Sequence, residues 1–403
     1  MKVLKKCIFA LCIILTISSY SFADDIILED LEYSVFSEVS ANPTKEPETN
    51  SKHIIVIDRK TLTVLYEKDA YTKTAMASTT KIMTCILALE NLSLNDTVTV
   101  SKEAASIHGS TLGLHINDKI TVNDLLYGLM LRSGNDCAIS IAETISGNTE
   151  KFAILMNKKA KELNLKDTNF VTPNGLDDDN HYTTAYDLAL LTNYALKNEF
   201  FRRIVSTKTC TISINGNIRT ISNTNELLGN LDGVYGVKTG FTFNAGRCLV
   251  SSCKRGEMDI IVVVLGADTK NIRTKDSINL INYVFKNFSY IDVSSTINEA
   301  FNNYISYNSS NFILEKLATK PILEIDKLSN YEFPLSLNEG AKFTTKVYTI
   351  DKFSSKTPKD SIVGSLYLYN DDKLLCEVNI TLQNELISNT WNYYFKNIFK
   401  NLF

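Results

Sequence analysis

The sequence predicts an α+β protein, in which an antiparallel sheet with an inserted helical lobe is followed by a small all-β sandwich domain and a C-terminal amphipathic helix. Three patterns support this fold class. Strand-like apolar runs occur at residues 53–66 and again at 246–265, whereas helical apolar spacing dominates between them. After residue 291 the sequence changes to short alternating runs, which are typical of a β-domain. This order differs from the regular strand–helix alternation of a doubly wound sheet.

The N-terminus has the features of a signal peptide over residues 1–23. Lysines at positions 2–6 precede an apolar run at 7–17, and small residues surround Ala23. We therefore expect cleavage after Ala23 and export of the protein, with an uncleaved N-terminal anchor as the alternative. Residues 24–51 are acidic and polar and contain two prolines, which predicts a linker.

Charge and cysteine content exclude several classes of function. The formal net charge of the 403 residues is −3, so no basic field points to a nucleic-acid partner. Two of the eight cysteines lie in the signal peptide, and the others are scattered without a CxxC pair. A metal site is therefore poorly supported, and no cofactor is expected. A disulfide between Cys248 and Cys253 is left open.

The catalytic domain is expected to span residues 52–290. It begins with a hairpin, continues through helices and closes with two strands and a helix. The predicted strands are 53–57, 61–66, 246–252 and 260–265, and the predicted helices are 78–92, 122–131, 137–144, 151–163 and 275–288.

The first motif that can carry chemistry is Ser78-Thr79-Thr80-Lys81. A serine hydroxyl is a poor nucleophile at neutral pH and needs a neighbouring base. At the start of a helix, serine and lysine lie one turn apart on the same face, so the amine can reach the hydroxyl. The spacing recurs at residues 251–254, but at the end of a predicted strand, where positions i and i+3 point to opposite faces. Ser78 is therefore the candidate nucleophile.

The second motif is Ser133-Gly134-Asn135, which follows the predicted helix 122–131. A second serine hydroxyl can relay protons between a lysine and a leaving amine. An asparagine amide can hold both the lysine and the substrate backbone. Residues 146–148 repeat the same letters, but they end a helical run and indicate a helix-terminating turn. The context therefore favours Ser133 and Asn135.

The third motif, Lys238-Thr239-Gly240, occurs once. On a strand edge the lysine and threonine can bind a substrate carboxylate, while the backbone pairs with an extended peptide. The glycine leaves room for that ligand. Each motif alone is a weak signal, but the three in this order within one domain are much more specific.

Together the motifs resemble the penicillin-recognising serine enzymes, and within them the low-molecular-mass penicillin-binding proteins, the D-alanyl-D-alanine carboxypeptidases. The resemblance implies a β-lactamase/transpeptidase-like catalytic domain. It implies removal of the terminal D-alanine from peptidoglycan pentapeptides through an acyl-enzyme, with peptidoglycan stem peptides as substrates and β-lactam antibiotics as covalent inhibitors. The similar segments are residues 77–84, 129–136, 156–163, 167–170, 173–176, 181–185, 236–240 and 263–267.

The resemblance also implies roles for the catalytic residues. Ser78 would form the acyl-enzyme, and Lys81 would be its general base. Ser133 would relay protons, and Asn135 would orient both Lys81 and the substrate. His181 is catalytic by residue type, but a structural hydrogen bond near the site is favoured.

On the substrate side, the resemblance implies that Lys238 and Thr239 bind the terminal carboxylate next to Gly240. The backbone N–H groups of Ser78 and Phe241 would form the oxyanion hole. Phe241 stands where some family members carry histidine, which does not matter if only its N–H is used.

Two further positions bear on carboxylate binding. Arg273 stands where the family has an arginine near the substrate carboxylate, with a surface ion pair as the alternative. Thr224 stands where some members carry a second arginine, so that contact is expected to be missing.

Three other functions compete with this interpretation. A class A β-lactamase needs a deacylating glutamate in an E-x-E-L-N stretch. Here Glu162-Leu163-Asn164 matches the end of it, but Ala160 occupies the essential position. A non-catalytic penicillin-binding module would not need the complete serine and lysine set. D,D-endopeptidase activity would use the same site, and the sequence does not separate it from carboxypeptidase activity.

The remaining chain is expected to form an all-β stalk over residues 291–383 and an amphipathic helix over 384–403. The helix is too short and polar to span a bilayer, so we expect it to lie on the outer face of the cytoplasmic membrane, with its lysines toward anionic headgroups. A terminal helix packed on the β-domain is the alternative. The residues that form its apolar face at helical spacing are Trp391, Tyr394, Phe395, Ile398, Phe399 and Leu402.

Overall fold

A computed structural model describes residues 45–326, 331–336, 342–391 and 393–395 of the chain. The predicted signal peptide and residues 24–44 of the predicted linker lie outside the described residues. The chain divides into two compact units, residues 1–286 and 287–403.

The first unit consists of one large sheet and a helical lobe. Its elements are β1 (His53–Asp58), β2 (Val64–Lys68), α1 (Lys81–Asn91), β3 (Thr97–Thr99), α2 (Lys102–Ser106), β4 (Lys119–Thr121), α3 (Val122–Leu131), α4 (Asn135–Ser146), α5 (Thr149–Glu162), α6 (Ala185–Ala195), α7 (Glu199–Ser206), β5 (Thr209–Ile214), β6 (Asn217–Ser222), β7 (Val234–Thr242), β8 (Gly246–Arg255), β9 (Met258–Ala267) and α8 (Lys270–Asn287), which ends at the unit boundary.

The large sheet has five strands in the order β2-β1-β9-β8-β7, and every pair in it is antiparallel. One edge therefore comes from the start of the unit and the other from its end, as the sequence pattern predicts. The continuous apolar run of β1 is buried along almost its whole length, because it lies inside the sheet between β2 and β9. Strand β7 forms an edge of this sheet.

The helical lobe lies between β2 and β7 in the sequence and shares one apolar core with the sheet. Several of its helices begin at a polar side chain that caps a free backbone N–H. Thr121 accepts from the N–H of Asp124 at the start of α3, and Asn148 accepts from that of Lys151 at the start of α5. Thr184 caps α6 in the same way. All the predicted helices of this unit are present, with ends that differ by up to five residues.

The end of the predicted linker belongs to the folded unit. The backbone N–H groups of Asn50 and Ser51 and the Ser51 hydroxyl all donate to Asp276 Oδ2, and Ser51 is fully buried. Lys68 Nζ donates to the carbonyls of Thr49 and Ser51. The prediction of a linker up to residue 51 was therefore wrong at its last three positions, because Asp276 and Lys68 bond their backbone groups within the folded unit.

Cys248 and Cys253 carry thiols and do not form the disulfide that the sequence left open. Both lie on β8, five residues apart. An extended strand separates such residues by about 16 Å, whereas the Cα atoms of a disulfide lie within about 7 Å.

The second unit contains β10 (Phe288–Asp292), α9 (Ser294–Asn308), β11 (Ile313–Leu314), β12 (Leu323–Ile325), β13 (Glu332–Ser336), β14 (Phe343–Thr349), β15 (Lys352–Phe353), β16 (Ile362–Asn370) and β17 (Lys373–Leu382). Its largest sheet has the order β12-β17-β16-β14 and is antiparallel.

The prediction of an all-β second domain was wrong, because α9 is part of its core. Ile297 and Phe301 are buried with Leu366 and Leu368 of β16 and Val378 of β17. In α9 the apolar side chains recur three to four residues apart, which is helical spacing, but they are few and stand among serines and asparagines.

The predicted C-terminal helix begins later than Asn384. Residues 384–390 are not helical, and their backbone pairs with the segment 316–322 through bonds such as Ala318 N–H to the carbonyl of Ile387. Leu386 is buried in the core of the second unit. Helical residues start at Trp391, and residues 396–403, including Ile398, Phe399 and Leu402, lie outside the described residues. Within the described part of the chain, no helix has the length and apolarity to cross a bilayer.

Candidate active site

The candidate nucleophile lies in a single 3₁₀ turn, Ala77–Thr80, which precedes α1. Ala77 has a φ of +48°, a left-handed conformation that is costly for a residue with a side chain. Two hydroxyls stabilise it: Thr79 Oγ1 donates to the carbonyl of Met76, and Thr80 Oγ1 donates to that of Ala77. The turn therefore holds Ser78, which is 5% exposed, in one defined position.

Lys81 is the first residue of α1, and its amine is the centre of the site. It is fully buried, and Nζ lies 2.8 Å from Ser78 Oγ, 2.8 Å from Asn135 Oδ1 and 2.7 Å from the carbonyl oxygen of Asn174. A neutral amine has two N–H groups and one lone pair. If the asparagine oxygens accept the two N–H groups, the lone pair faces the Ser78 hydroxyl, as general-base catalysis requires.

Ser133 lies in the connection between α3 and α4, and Asn135 is the first residue of α4. Ser133 has a φ of +59° and is almost completely buried. Asn135 Nδ2 donates to the carbonyl of His108, so the amide oxygen is the atom that faces Lys81. The predicted second motif is thus oriented by the backbone of a separate loop.

Lys238, Thr239 and Gly240 lie on the edge strand β7. Lys238 is buried, and its Nζ donates to Ser133 Oγ at 3.0 Å and to the carbonyl of Thr239. A Cβ on Gly240 would lie 3.1 Å from the backbone nitrogen of Ser78. The absence of a side chain there keeps open the space that faces the Ser78 N–H group, where the oxyanion hole was predicted.

Two hydrogen-bonded groups therefore meet in one buried cluster. Ser78, Lys81 and Asn135 form the first, and Ser133 and Lys238 form the second. The close approach of Gly240 to the backbone of Ser78 joins the two groups. All three predicted motifs are brought together, although they span residues 78 to 240 of the chain.

Two predicted substrate-binding side chains have protein partners of their own. The Thr239 hydroxyl lies 2.7 Å from that of Thr224, the position where an arginine was expected to be missing. The Phe241 ring packs against the Arg247 guanidinium, 3.8 Å from its centroid, and against Phe243. The Phe241 side chain is therefore occupied by these contacts, and the predicted oxyanion role falls to its backbone N–H.

Arg273 is fully buried in α8, so the surface ion pair considered for it was wrong. Its guanidinium pairs with Glu226 and reaches the carbonyl of Cys248, whose neighbour across the sheet is Gly240. Burial alone would raise the pKa of Glu226, but Arg273 and a hydrogen bond from Thr274 hold it below its usual value. A role of Arg273 toward the substrate carboxylate stays a prediction.

Sequence reasoning missed Asp136, which follows Asn135 directly. Its buried carboxylate accepts from the backbone N–H groups of Leu112, Gly113 and Leu114, and also from that of Cys137. It therefore ties the loop before β4 to the start of α4. A carboxylate directly before a predicted helix was the available signal, but its loop partners are not readable from sequence.

The carbonyl of Asn174, which accepts from Lys81, was also missed because a backbone acceptor leaves no mark in residue identity. His181 contacts the start of the same loop. Its Nδ1 accepts from the backbone N–H groups of Val171 and Thr172, and Nε2 lies 2.8 Å from Thr80 Oγ1. Burial lowers the pKa of His181 to about 4. The arrangement is that of a neutral structural imidazole, the interpretation favoured from sequence.

Comparisons with known proteins identify the family of this chain. The family model for D-alanyl-D-alanine carboxypeptidase matches residues 40–269, more than half of the chain. The D-alanyl-D-alanine carboxypeptidase DacF of Bacillus subtilis is 33% identical over 359 residues, which cover 88% of this chain and 90% of the relative. DacC of Escherichia coli is 38% identical over 258 residues, covering 61% of this chain and 64% of the relative.

Solved structures extend the similarity to the fold. Penicillin-binding protein 5 from Haemophilus influenzae matches with a TM-score of 0.70 and 25% identity, covering 85% of this chain and 99% of that one. The Streptomyces K15 DD-transpeptidase matches with a TM-score of 0.58 and 35% identity, covering 60% of this chain and 99% of that one. The predicted fold class of the catalytic domain is therefore confirmed.

Proposed function

The chain belongs to the D-alanyl-D-alanine carboxypeptidase family, and we propose that it removes the C-terminal D-alanine from peptidoglycan pentapeptides through an acyl-enzyme on Ser78. Family membership makes it a serine peptidase of cell-wall metabolism that acts on peptidoglycan peptides and is inhibited by penicillins. The observation that carries the finer proposal is the Lys81 amine, which contacts the Ser78 hydroxyl and two oriented carbonyl acceptors inside a buried cluster.

Acylation follows from that geometry. Ser78 Oγ attacks the carbonyl carbon between the last two D-alanines, and its proton passes to Lys81 Nζ. The carbonyl oxygen becomes negative and accepts from the N–H groups of Ser78 and Phe241. The C–N bond then breaks, and Lys81 returns its proton through the Ser133 hydroxyl, which Lys238 orients, to the nitrogen of the leaving D-alanine.

Deacylation uses the same groups with water. Lys81 accepts a proton as water attacks the ester carbon, and the bond to Ser78 Oγ breaks. The products are the tetrapeptide and free enzyme, with the proton back on Ser78. A penicillin would acylate the same hydroxyl, because its strained amide stands in for the D-alanyl-D-alanine amide bond.

Recognition of the terminal carboxylate is assigned to the edge of β7. Lys238 supplies a positive charge and Thr239 a hydroxyl, and the open edge can pair with an extended peptide as an added strand. Gly240 keeps the approach to Ser78 free of a side chain. This arrangement favours a substrate that ends in a free carboxylate.

The test is mass spectrometry of a pentapeptide ending in D-alanyl-D-alanine after incubation with the purified protein. We expect the tetrapeptide and free D-alanine. A pentapeptide that stays intact while the protein is folded would refute the proposal. Adding an acceptor amine separates hydrolysis from transpeptidation, the activity for which the Streptomyces K15 enzyme is named. Adding a cross-linked peptide dimer separates hydrolysis from endopeptidase cleavage.

For location, we propose that the mature protein is exported and lies peripherally on the outer face of the cytoplasmic membrane. Residues 1–23 have the pattern of a signal peptide. Trp391 is 83% exposed, Tyr394 51% and Phe395 57%, which leaves three aromatic rings unburied in the described part of the predicted C-terminal helix. Exposed aromatics followed by lysines are typical of a helix that lies in the membrane interface.

A further inference from the structure

His181 connects two elements that both contact the candidate general base. On one side it faces the turn Ala77–Thr80, since Nε2 lies 2.8 Å from Thr80 Oγ1. On the other side its Nδ1 accepts from Val171 and Thr172, at the start of the loop that carries Asn174. Between these elements lies the Lys81 amine, which contacts Ser78 in the turn and Asn174 in the loop.

The backbone groups at the two ends of this hydrogen-bonded chain determine which atoms in it donate and which accept. Two backbone N–H groups point at Nδ1, so Nδ1 carries the lone pair and the ring proton is on Nε2. Nε2 therefore donates to the Thr80 hydroxyl. That hydroxyl in turn donates to the carbonyl of Ala77, the residue with the left-handed backbone directly before Ser78.

The imidazole is held in this neutral form by its surroundings. Burial lowers the pKa of His181 to about 4, with Lys81 acting in the same direction and Asp178 opposing. The Phe170 ring packs edge-on against it. At neutral pH the ring therefore offers one acceptor and one donor in fixed directions.

The loop that carries Asn174 packs tightly against the turn Ala77–Thr80. Gly175 has a φ of +86°, and a Cβ on it would lie 2.0 Å from the carbonyl oxygen of Ala77. Such close contact means that a small rotation of the loop changes where the Asn174 carbonyl points. The loop has one further anchor, because Thr84 Oγ1 donates to the carbonyl of Pro173.

We propose that His181 is a positioning residue for acylation. It fixes the position of the Asn174 carbonyl relative to the turn that carries Ser78, so that the lone pair of Lys81 points at the Ser78 hydroxyl. This inference rests on the proposed acyl-enzyme chemistry. Without the imidazole, Thr84 keeps the loop in place, but the loop can tilt. A misplacement of about 1 Å costs up to about 100-fold in rate, so we expect acylation to slow by about 10- to 100-fold.

The test measures penicillin acylation of the full mature chain under single-turnover conditions, which separates non-covalent binding from the covalent step. His181→Phe keeps a ring but removes both hydrogen bonds. His181→Asn places an acceptor near the Nδ1 position, and His181→Gln places a donor near the Nε2 position. We expect the phenylalanine variant to lose acylation rate with unchanged binding, and the other two variants each to recover part of the loss.

Thr192→Val is the matched control. Thr192 is fully buried in α6 and donates to the carbonyl of Leu188, so its loss removes a buried hydrogen bond away from the site. It should lower the melting temperature and leave acylation unchanged.

Two outcomes would overturn the inference. One is a folded phenylalanine variant that acylates as fast as the unsubstituted protein. The other is a rate loss that follows melting temperature across all four variants, because a purely structural role predicts it. If the unsubstituted protein itself is not acylated, the proposed function fails instead.

Discussion

Two serine–lysine pairs with identical spacing occur in this chain, and only one of them forms a contact within the described residues. Ser78 and Lys81 lie in and just after a buried turn, with Nζ 2.8 Å from Oγ. Ser251 and Lys254 lie on β8, where the lysine is exposed and the buried serine hydroxyl has no hydrogen-bond partner in the described part of the chain. A helical turn brings positions i and i+3 together, and a strand separates them. The motif is thus meaningful only with its backbone conformation.

The two serine–glycine–asparagine segments differ in the same way. At 146–148 the glycine ends α4 with a φ of +83°, and Asn148 Oδ1 caps α5, so its amide is used for helix formation. At 133–135 the serine takes the left-handed conformation, and the asparagine amide faces Lys81. Of these two asparagines, the one whose side chain caps a helix does not contact the catalytic lysine, and the other one does.

Removing the hydroxyls of Ser78 and Ser251 in separate variants tests this comparison most strongly. Ser78→Ala should lower turnover of the pentapeptide by on the order of 10⁶, as loss of the nucleophile does in serine enzymes. Ser251→Ala should leave kcat/KM within about twofold, because its hydroxyl makes no hydrogen bond to any described residue. Equal losses, measured by tetrapeptide release, would mean that spacing and not backbone selects the nucleophile.

The lysines offer the next largest difference. Lys81→Arg keeps the positive charge but cannot act as a base, and should slow acylation by about 10²- to 10⁴-fold. Lys254 is exposed on β8, so Lys254→Arg should not change the rate of acylation. Stopped-flow acylation with a chromogenic cephalosporin gives both rates, and normal acylation by the Lys81 variant would reduce the role of this residue to electrostatics.

The environment of the active pair also predicts a pH dependence of stability. His181 has a folded-state pKa of about 4 against an ordinary value of 6.5, so the unfolded chain binds the extra proton first on acidification. Its contribution is complete above pH 6.5 and is lost as pH falls toward 4, by at most about 3 kcal/mol. Asp178 and Lys81 are the charged groups that face it.

The measurement is urea unfolding between pH 4 and 7 for the unsubstituted protein and for His181→Phe. The variant should be less stable at pH 7 and should have a flatter pH profile. Parallel profiles would show that His181 does not titrate as its buried position requires.

Lys238 and Lys81 are both buried, but they are expected to act on different parts of the substrate. Lys238→Gln should reduce turnover of a peptide with a free C-terminal carboxylate about 10- to 100-fold more than that of its C-terminal amide, since a hydrogen bond to a charged group contributes about 1.5–3 kcal/mol. The kcat/KM of both peptides is compared. Equal losses on both would move the carboxylate site toward Arg273.

The smallest expected effect on catalysis comes from the C-terminal tail. Deletion of residues 391–403 should leave kcat/KM unchanged and abolish sedimentation with anionic liposomes. The cut must spare 384–390, because Leu386 belongs to the core of the second unit. Full-length mature protein that does not sediment with such liposomes would contradict the membrane proposal.

Much of this site was accessible from sequence because side-chain identity carries it. The serines and lysines of the three motifs follow from residue type and local spacing, and the choice of Ser78 over Ser251 follows from the predicted secondary structure around each pair. The backbone carbonyl of Asn174 and the loop held by Asp136 did not, since their role depends on tertiary contacts that no local pattern encodes.

The fold shows the same division. Four strands of the five-stranded sheet and five helices of the first unit follow from long apolar runs, whose period is a strong signal, whereas α2, α6 and α7 were not predicted. The helix α9 was missed because its few apolar residues stand among polar ones in a region of strands. The surroundings of Arg273 were also misjudged, because a charged residue in a helix looks exposed until its buried partner Glu226 is known.

The central claim is that the backbone around Ser78 makes it the nucleophile. Peptide mapping by mass spectrometry after reaction with a penicillin tests this most directly. We predict a single adduct on the peptide that contains Ser78, none on the peptide with Ser251, and none in Ser78→Ala. An adduct on Ser251, or one that persists in Ser78→Ala, would contradict the account.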